Sequence, residues 1–246
     1  MPDDLTTDQA LARRAIRLID LTDLADDTDE GSADALCARA VRAGVAAVCV
    51  WPRFVARCAR QLDGSGVRVA TVVNFPAGTD PPDAVGAMTA TALTDGADEI
   101  DVVLPYGAWL GGDLDRAAAV LGVVRTEAGS RTVKVIIETG ELPDRAAIDR
   151  AAHFAIANGA DFVKTSTGKT SVSATPEAAE IVLEAIEVSG RPVGFKASGG
   201  IRTLGDAASY LELADRIMGP EWATPDTFRF GASGLLDALE AVSRSA

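Results

Sequence analysis

The chain has 246 residues, of which 48% are apolar, so it can build one large domain around a substantial core. Its formal net charge of −13 excludes nucleic acid and anionic membrane surfaces as expected partners, because neither attracts an acidic protein. The start Met1–Asp4 has no apolar signal core, and no apolar run is long enough to span a membrane, so we expect a cytoplasmic protein.

The cysteines and the histidine restrict the chemistry further. Cys37, Cys49 and Cys58 are odd in number and lack C-x-x-C spacing, which argues against a disulfide framework and against a zinc site. The single histidine, His153, lies in a helical pattern and is interpreted as a helix-surface residue. We therefore predict no metal, no cofactor and no histidine-based catalytic triad.

Strand-like and helix-like segments alternate along the chain after a short leading helix that begins near Thr6. The predicted strands are Ile16–Leu21, Val45–Val50, Val67–Asn74, Glu99–Leu104, Val133–Glu138, Phe162–Thr165, Val193–Ala197 and Phe228–Gly231. The predicted helices after the leading one are Ala33–Ala43, Pro52–Leu62, Pro82–Thr94, Asp113–Thr126, Arg145–Ala157, Pro176–Val188, Leu204–Ile217 and Leu235–Val242. Such nearly continuous apolar strands predict an α/β fold, a (β/α)8 TIM barrel, in one domain over residues 1–246. A doubly wound open sheet is the alternative.

Lysine is rare in this chain, since Lys134, Lys164, Lys169 and Lys196 are the four lysines among 23 basic residues. Each lies in or just past an apolar, β-rich run. A lysine whose stem packs on the core while its ammonium reaches water is the ordinary alternative. However, arginine keeps its proton near neutral pH, whereas a lysine in a dry site can lose it and become a nucleophile. The pattern therefore indicates amine chemistry, centred on Lys164.

A faint internal repeat places other polar groups at a similar depth. Three glycines each end a helix and lead into a strand, namely Gly44, Gly96 and Gly159. Five residues later stand Cys49, Asp101 and Lys164. The C-terminal ends of barrel strands converge on one mouth, where Lys196 is also expected. The two lysines and Asp101 are compatible with a structural salt-bridge cluster, or with one lysine whose charge favours the neutral, nucleophilic form of the other.

Glycine-rich loops predict a phosphate pocket at the same mouth. Gly199-Gly200 follows the seventh strand, and Gly231-Ala232-Ser233-Gly234 follows the eighth and enters a helix. Loops at these two places, with backbone N–H groups at a helix N-terminus, form the usual phosphate site of a barrel. Gly168-Lys169 supplies further donors and a charge.

Taken together and in order, the motifs resemble the deoxyribose-phosphate aldolases, which are class I, Schiff-base aldolases on a TIM barrel. The resemblance runs from about Ile19 to Leu236. It rests on the segments Asp20–Thr22, Thr71–Pro76, Gly96–Val103, Lys134–Leu142, Asp161–Gly168, Gly194–Lys196 and Phe228–Ser233.

The resemblance implies a role for each matching residue. Lys164 matches the Schiff-base lysine, Lys196 the neighbouring lysine and Asp101 the acid/base carboxylate. Contacts to substrate or phosphate are expected from Thr22, Cys49, Thr167, Gly168, Lys169, Gly199, Gly200, Ser233 and Gly234. The implied reaction is the reversible cleavage of 2-deoxy-D-ribose 5-phosphate to D-glyceraldehyde 3-phosphate and acetaldehyde, in deoxyribose phosphate degradation.

The chain departs from the family pattern in two places. Some members have a second serine where this chain has Gly234, so one hydroxyl contact to phosphate is lost. Some also end in a tyrosine that helps proton transfer, whereas this chain ends Ser243-Arg244-Ser245-Ala246. We expect these differences to affect phosphate affinity and the rate of proton exchange, and to leave the Schiff-base chemistry intact.

Two other functions are compatible with the same residues. One is a Schiff-base barrel aldolase for a different phosphorylated sugar, and the other is a sugar-phosphate sensor in which Lys164 is inert. The expected partner is a phosphorylated sugar, and among homo-oligomers a dimer is favoured.

Overall fold

The computed structural model describes residues 6–244, so the first five and last two residues of the predicted domain lie outside it. Eight parallel strands close into a barrel in which each strand pairs with the next and β1 pairs with β8. The strands are β1 (Ile19–Asp23), β2 (Ala47–Val50), β3 (Arg68–Val73), β4 (Glu99–Val103), β5 (Thr132–Ile136), β6 (Phe162–Lys164), β7 (Gly194–Ser198) and β8 (Phe228–Ala232). The predicted (β/α)8 barrel is confirmed, and the alternative open sheet is wrong.

Ten α-helices are found within residues 6–244. They are α1 (Thr7–Ile16), α2 (Glu30–Ala43), α3 (Val55–Leu62), α4 (Pro82–Thr94), α5 (Tyr106–Leu110), α6 (Leu114–Ala128), α7 (Arg145–Ala157), α8 (Pro176–Ser189), α9 (Leu204–Met218) and α10 (Leu235–Arg244). Short 3₁₀ turns occupy Pro52–Phe54 and Thr139–Glu141. None of the helices in this described part combines the length and apolar character needed to cross a lipid bilayer.

Local sequence signals explain where most helices start and stop. α1 begins in a capping box, in which the Thr6 side chain accepts from the backbone of Gln9 and the Gln9 side chain accepts from the backbone of Thr6. α8 has Thr175 as its N-cap and proline at its first position, and it ends at Gly190, whose φ is 61°.

Two element predictions need correction. The first strand begins at Ile19 and not at Ile16, because α1 continues through Ile16 and buries that side chain in the core. Helix α5 was not predicted, since five residues that include a glycine and follow Pro105 give no helical period. The other boundaries differ by a few residues at most.

The main hydrophobic core lies between the barrel and its ring of helices. Outward-facing strand residues such as Val48, Ile100, Val163 and Phe195 are fully buried there. Alternate strand residues point into the barrel, because side chains of a strand alternate between its two faces. The interior of the barrel is therefore the place where polar residues embedded in these strands must go.

Candidate active site

A cluster of seven buried charged side chains fills the barrel interior. Each of these residues is no more than 2% exposed, and each forms at least one ion pair of less than 4 Å with another member. We call them the ion cluster: Asp20, Glu99, Asp101, Lys134, Lys164, Lys196 and Arg229. Barrel interiors are ordinarily packed with branched apolar side chains, and burying charges is costly. The presence of seven charged side chains here therefore indicates a function.

The strand register brings these residues together. Asp101 of β4 lies beside Lys134 of β5. Lys164 of β6 lies beside Lys196 of β7, which lies beside Arg229 of β8. Because register in a closed barrel is fixed along every strand, residues far apart in the chain face one another across the interior.

Asp101 is the centre of the cluster, since three ammonium groups donate to its carboxylate. Its Oδ2 accepts from Lys164 Nζ at 2.9 Å and from Lys196 Nζ at 2.7 Å. Its Oδ1 accepts from Lys134 Nζ at 2.9 Å. Burial alone would raise the pKa of the Asp101 carboxyl, but the three lysines hold that pKa well below its usual range.

The remaining contacts lie around Arg229. Its guanidinium donates to Asp20 Oδ1 at 2.5 Å and to Glu99 Oε1 at 2.8 Å. Lys134 Nζ donates to Glu99 Oε2 at 2.5 Å, and Lys196 Nζ donates to Asp20 Oδ2 at 2.5 Å. Every charge in the cluster thus has an oppositely charged partner, which is what makes its burial tolerable.

Lys164 differs electrostatically from the other two buried lysines. Burial lowers the pKa of Lys164, Asp101 opposes this, and the nearby charge of Lys196 lowers the pKa further. Burial acts on Lys134 and Lys196 as well, but there the surrounding carboxylates prevail and raise the pKa of both. Lys164 is therefore the lysine of the cluster that loses its proton most easily.

A pocket of about 610 Å³ opens at the C-terminal ends of the strands. Most of the predicted substrate and phosphate residues line it, namely Thr22, Thr167, Gly168, Lys169, Gly199, Gly200, Ser233 and Gly234. Three of the glycines have positive φ, 78° at Gly168, 86° at Gly199 and 82° at Gly200, as a tight backbone cradle requires. Arg202 lines the same pocket and was not predicted.

The loop after β6 has defined contacts at the edge of this pocket. The Lys169 ammonium donates to the backbone oxygen of Leu24 at 2.8 Å and lies 5.9 Å from the centre of the Trp51 ring. The backbone N–H of Thr167 donates to both carboxylate oxygens of Glu138 at 3.2 Å, and Thr170 Oγ1 donates to one of them at 3.3 Å. Glu138 is fully buried, and burial raises the pKa of its carboxyl.

Cys49 lies on β2 beside Thr22 and does not itself line the pocket, but the charges of Lys196 and Lys164 affect its thiol. It is buried with Leu24, Ala70 and Val72, against which Trp51 and Phe75 also pack. Burial raises the pKa of its thiol. This apolar wall covers the β2–β3 side of the site, whereas the glycine loops occupy the other side.

Sequence reasoning gave no site role to five residues that the structure places here: Asp20, Glu99, Lys134, Glu138 and Arg229. Two signals could have indicated them. Glu99 and Asp101 alternate on one strand and so share a face, and Arg229 stands between two phenylalanines in Phe228-Arg229-Phe230. A charged residue in such a position needs a buried partner.

The structure places the remaining sequence candidates elsewhere. His153 lies on α7 with a side chain that is 43% exposed, as predicted. Cys37 and Cys58 are buried free thiols on α2 and α3. Within the described part of the chain, no three histidine, cysteine or acidic side chains are arranged to hold a metal ion.

Comparison with known proteins agrees with this geometry. Residues 14–240 match the family described as DeoC/LacD family aldolase. A deoxyribose-phosphate aldolase from Agrobacterium fabrum is 55% identical over 195 residues, which cover 78% of this chain and 75% of the relative.

Two crystal structures assigned to deoxyribose-phosphate aldolases have the same fold. The apo structure from Toxoplasma gondii is 29% identical, with a TM-score of 0.88 over 96% of this chain and 97% of that one. The structure from Coccidioides immitis is 30% identical, with a TM-score of 0.85 over 94% of this chain and 86% of that one. The chain therefore belongs to the DeoC/LacD family of aldolases.

Proposed function

We propose that this protein is a 2-deoxy-D-ribose 5-phosphate aldolase that works through a Schiff base on Lys164. It cleaves its substrate reversibly to D-glyceraldehyde 3-phosphate and acetaldehyde. The observation that supports the proposal most is the surroundings of Lys164. This buried amine has one carboxylate, Asp101, and shares it with two other lysines, so its neutral form is favoured.

The reaction begins when neutral Lys164 Nζ adds to the aldehyde carbon of the open-chain sugar. Loss of water from the resulting carbinolamine gives a protonated imine, which accepts the electron pair of the breaking bond. The bond between C2 and C3 breaks as the C3 hydroxyl loses its proton, so D-glyceraldehyde 3-phosphate leaves and an enamine stays on Lys164. Protonation of the enamine at C2 and hydrolysis of the new imine release acetaldehyde and restore the amine.

Asp101 and Lys196 serve the proton transfers in this proposal. The Lys196 ammonium is 2.7 Å from Asp101 Oδ2, and Lys164 Nζ is 2.9 Å from the same oxygen. A proton can therefore move between the reacting groups and this pair over short distances. Because Lys196 also bears a charge beside Lys164, the same residue favours the neutral nucleophile.

The pocket with the glycine loops is proposed to hold the phosphate. Backbone N–H groups at Gly200 and Ser233 and the charge of Lys169 suit a dianion at the start of α10, whereas the Gly199 N–H donates to the Gly231 oxygen at 3.4 Å. Phosphate binding far from the reacting carbons supplies energy that orients the sugar in the site.

Four further predictions from the sequence stay predictions. They are that the protein is cytoplasmic, that it forms a dimer, that the chain is a single domain and that the enzyme needs no cofactor.

The test is to trap the imine. Acetaldehyde and borohydride should add a two-carbon unit to the protein, and peptide mapping should place it on Lys164. Lys164→Arg should neither be labelled nor cleave the sugar phosphate, because its guanidinium stays protonated. A label on Lys134 or Lys196 would reject the assignment of Lys164. No label, together with no cleavage in an assay coupled to NADH oxidation, would favour a sugar-phosphate sensor.

A further inference from the structure

The charges of the ion cluster do not balance when all its groups are ionised. Four cations face three carboxylates in the cluster, which leaves one positive charge in excess. Lys134, Lys196 and Arg229 each contact at least two carboxylates, whereas Lys164 contacts Asp101 alone. Loss of one proton from Lys164 makes the cluster neutral and leaves each remaining cation with its partners.

Arg229 and Glu99 are the members of the cluster farthest from the proposed chemistry. Glu99 is the first residue of β4, two residues before Asp101, and it lines a pocket of about 710 Å³ at the N-terminal end of the barrel. Arg229 contacts both Glu99 and Asp20, its Nε donates to the Pro225 backbone oxygen at 2.5 Å, and its guanidinium lies 5.7 Å from the Phe162 ring. Neither residue has an ion pair with Lys164, and neither lines the phosphate pocket.

We propose that Arg229 and Glu99 are positioning residues that set the net charge of the ion cluster and thereby leave Lys164 as its uncharged amine. The proposal rests on the Schiff-base function given above. Arg229 acts through Asp20 and Glu99, and Glu99 acts through Lys134, which donates to Asp101. Along these contacts, Glu99 is three steps and Arg229 four steps away from Lys164.

Other charged or titratable groups near Lys164 do not account for this balance. The groups that face it inside the barrel, one strand after another, are Asp20, Cys49, Asp101, Lys134, Lys196 and, after β5, Glu138. Glu138 has no cation within ion-pair distance among the described residues and is bound instead by Thr167 and Thr170. Arg68 reaches Glu99 at 3.4 Å from the surface, but it is paired with Asp226 at 2.6 Å, and this pair adds no net charge.

The experiment compares two substitutions that change the cluster charge in opposite directions. The rate of imine formation with acetaldehyde is measured by borohydride trapping as a function of pH. Arg229→Met removes a positive charge, so the Lys164 ammonium becomes more stable and the acidic limb of the profile should move to higher pH by about one unit. Glu99→Gln removes a negative charge and should move the limb to lower pH by a similar amount.

The double variant Arg229→Met/Glu99→Gln restores the original net charge, and its limb should return towards the wild-type position. Arg68→Met is the matched control, because it removes an arginine that also contacts Glu99 but whose side chain is 40% exposed and so screened by water, and the limb should stay in place. Thermal melts show which variants fold. If Arg229→Met does not fold, the test rests on Glu99→Gln. A shift of its acidic limb to lower pH then supports the proposal.

The proposal would be overturned if the acidic limb of the pH profile did not move, or moved in the same direction in both single variants. Arg229 and Glu99 would then have only a structural role. Absence of trapping in the wild-type protein would be a different result, because it would reject the Schiff-base function itself. The two failures are therefore distinguishable in one set of measurements.

Discussion

Three lysines lie in the same buried cluster, yet their surroundings shift their pKa values in different directions. Lys134 contacts Asp20, Glu99 and Asp101, so its proton is held by three carboxylates. Lys196 contacts two carboxylates, and Lys164 contacts one that is shared. Because carboxylates favour the ammonium and burial opposes it, the lysine with the fewest carboxylate partners loses its proton most easily.

Replacement of Lys196 with leucine tests its electrostatic effect on Lys164. The substitution removes a nearby positive charge and keeps a similar stem volume, so the pKa of Lys164 should rise. The acidic limb of imine formation should then move to higher pH by about one unit. Imine formation measured against pH by borohydride trapping gives this value.

Lys196→Arg is the matched control, since it keeps the charge and should keep the limb near its wild-type pH. A limb that stays in place in Lys196→Leu, with a lower rate at every pH, would reject electrostatic tuning. Lys196 would then act as a proton relay or as a phosphate contact.

Replacement of Lys169 with alanine tests its role in phosphate binding. Its ammonium reaches the edge of the glycine pocket and already donates to Leu24 O at 2.8 Å. Loss of a charge-assisted contact should raise KM for the phosphorylated sugar by about tenfold or more. Unphosphorylated deoxyribose should be cleaved as before, and Lys169→Arg should retain most of the affinity. Equal losses on both sugars would place Lys169 in the catalytic machinery.

The sequence pointed to the three residues that the structure brings together around Asp101, but not to their further partners. Lys164, Lys196 and Asp101 stand out because a charge within an apolar strand is conspicuous on its own. Arg229 has a local signal, since it stands between two phenylalanines, but its partner Asp20 could not be predicted because the pair joins positions 209 residues apart that meet only after the barrel has closed. No local pattern contains that information.

At the scale of elements, the β6–α8 loop is fastened to the end of β5. Glu138 has a φ of 51°, and this unusual backbone conformation turns its carboxylate towards Thr167 and Thr170. The backbone of the following turn also packs directly against this loop. A Cβ added at Gly140 would lie 2.1 Å from the backbone oxygen of Val172, so only glycine fits there. The loop that carries Thr167 and Lys169 is therefore positioned by a neighbouring strand end.

Replacement of Glu138 with glutamine should weaken this attachment. The amide keeps one acceptor oxygen and turns an NH₂ group towards hydrogen-bond donors, so contacts to the loop are lost. We expect KM for the phosphorylated sugar to rise about tenfold with a smaller change in kcat. Hydrogen exchange of residues 165–175 should also become faster.

Glu141→Gln serves as the control for this change, because Glu141 is exposed in the same turn. Its substitution should leave KM, kcat and hydrogen exchange unchanged. A fall in kcat with KM unchanged would instead mean that Glu138 takes part in the chemistry.

The bounds of a helix could be predicted where the spacing of its apolar residues and its capping residue indicate the same start. Pro82–Thr94 and Arg145–Ala157 have the predicted bounds, since proline or an aspartate cap marks the start of each. Ile16 begins an apolar run and so is predicted to start a strand, but the capping box at Thr6 starts a helix that includes Ile16 as its last residue. The positive φ of Glu138 could not be predicted, since it depends on tertiary contacts that hold a non-glycine residue there.

For the whole molecule, the ion cluster predicts a loss of stability in acid. The pKa values of Asp20, Glu99 and Asp101 are all lowered in the folded protein, because nearby cations outweigh the effect of burial. Groups of this kind stabilise the fold above their unfolded pKa, which is about 4, and lose that contribution as the pH falls towards the folded value. The free energy of unfolding should therefore fall steeply below about pH 4.

Urea unfolding at a series of pH values measures this dependence. Asp20→Asn should be less stable at neutral pH by about 3–5 kcal/mol, because Arg229 and Lys196 lose a buried partner. It should then lose less stability than the wild type on acidification. Parallel curves for the two proteins would mean that other carboxylates cause the acid loss.

The ion pairs of Asp20 also link catalysis to the order in which the chain folds. Asp20 stands on the first strand, and its partners Lys196 and Arg229 stand on the last two. A chain that stops before β8 has Lys164, Asp101 and the loop after β6, but it lacks the arginine that pairs with Asp20 and Glu99. Contacts of such long sequence separation form late in folding. On the proposal that Arg229 sets the charge of the ion cluster, Lys164 becomes a neutral amine only once β8 has closed the barrel, so a chain that lacks β8 is expected to hold no reactive lysine.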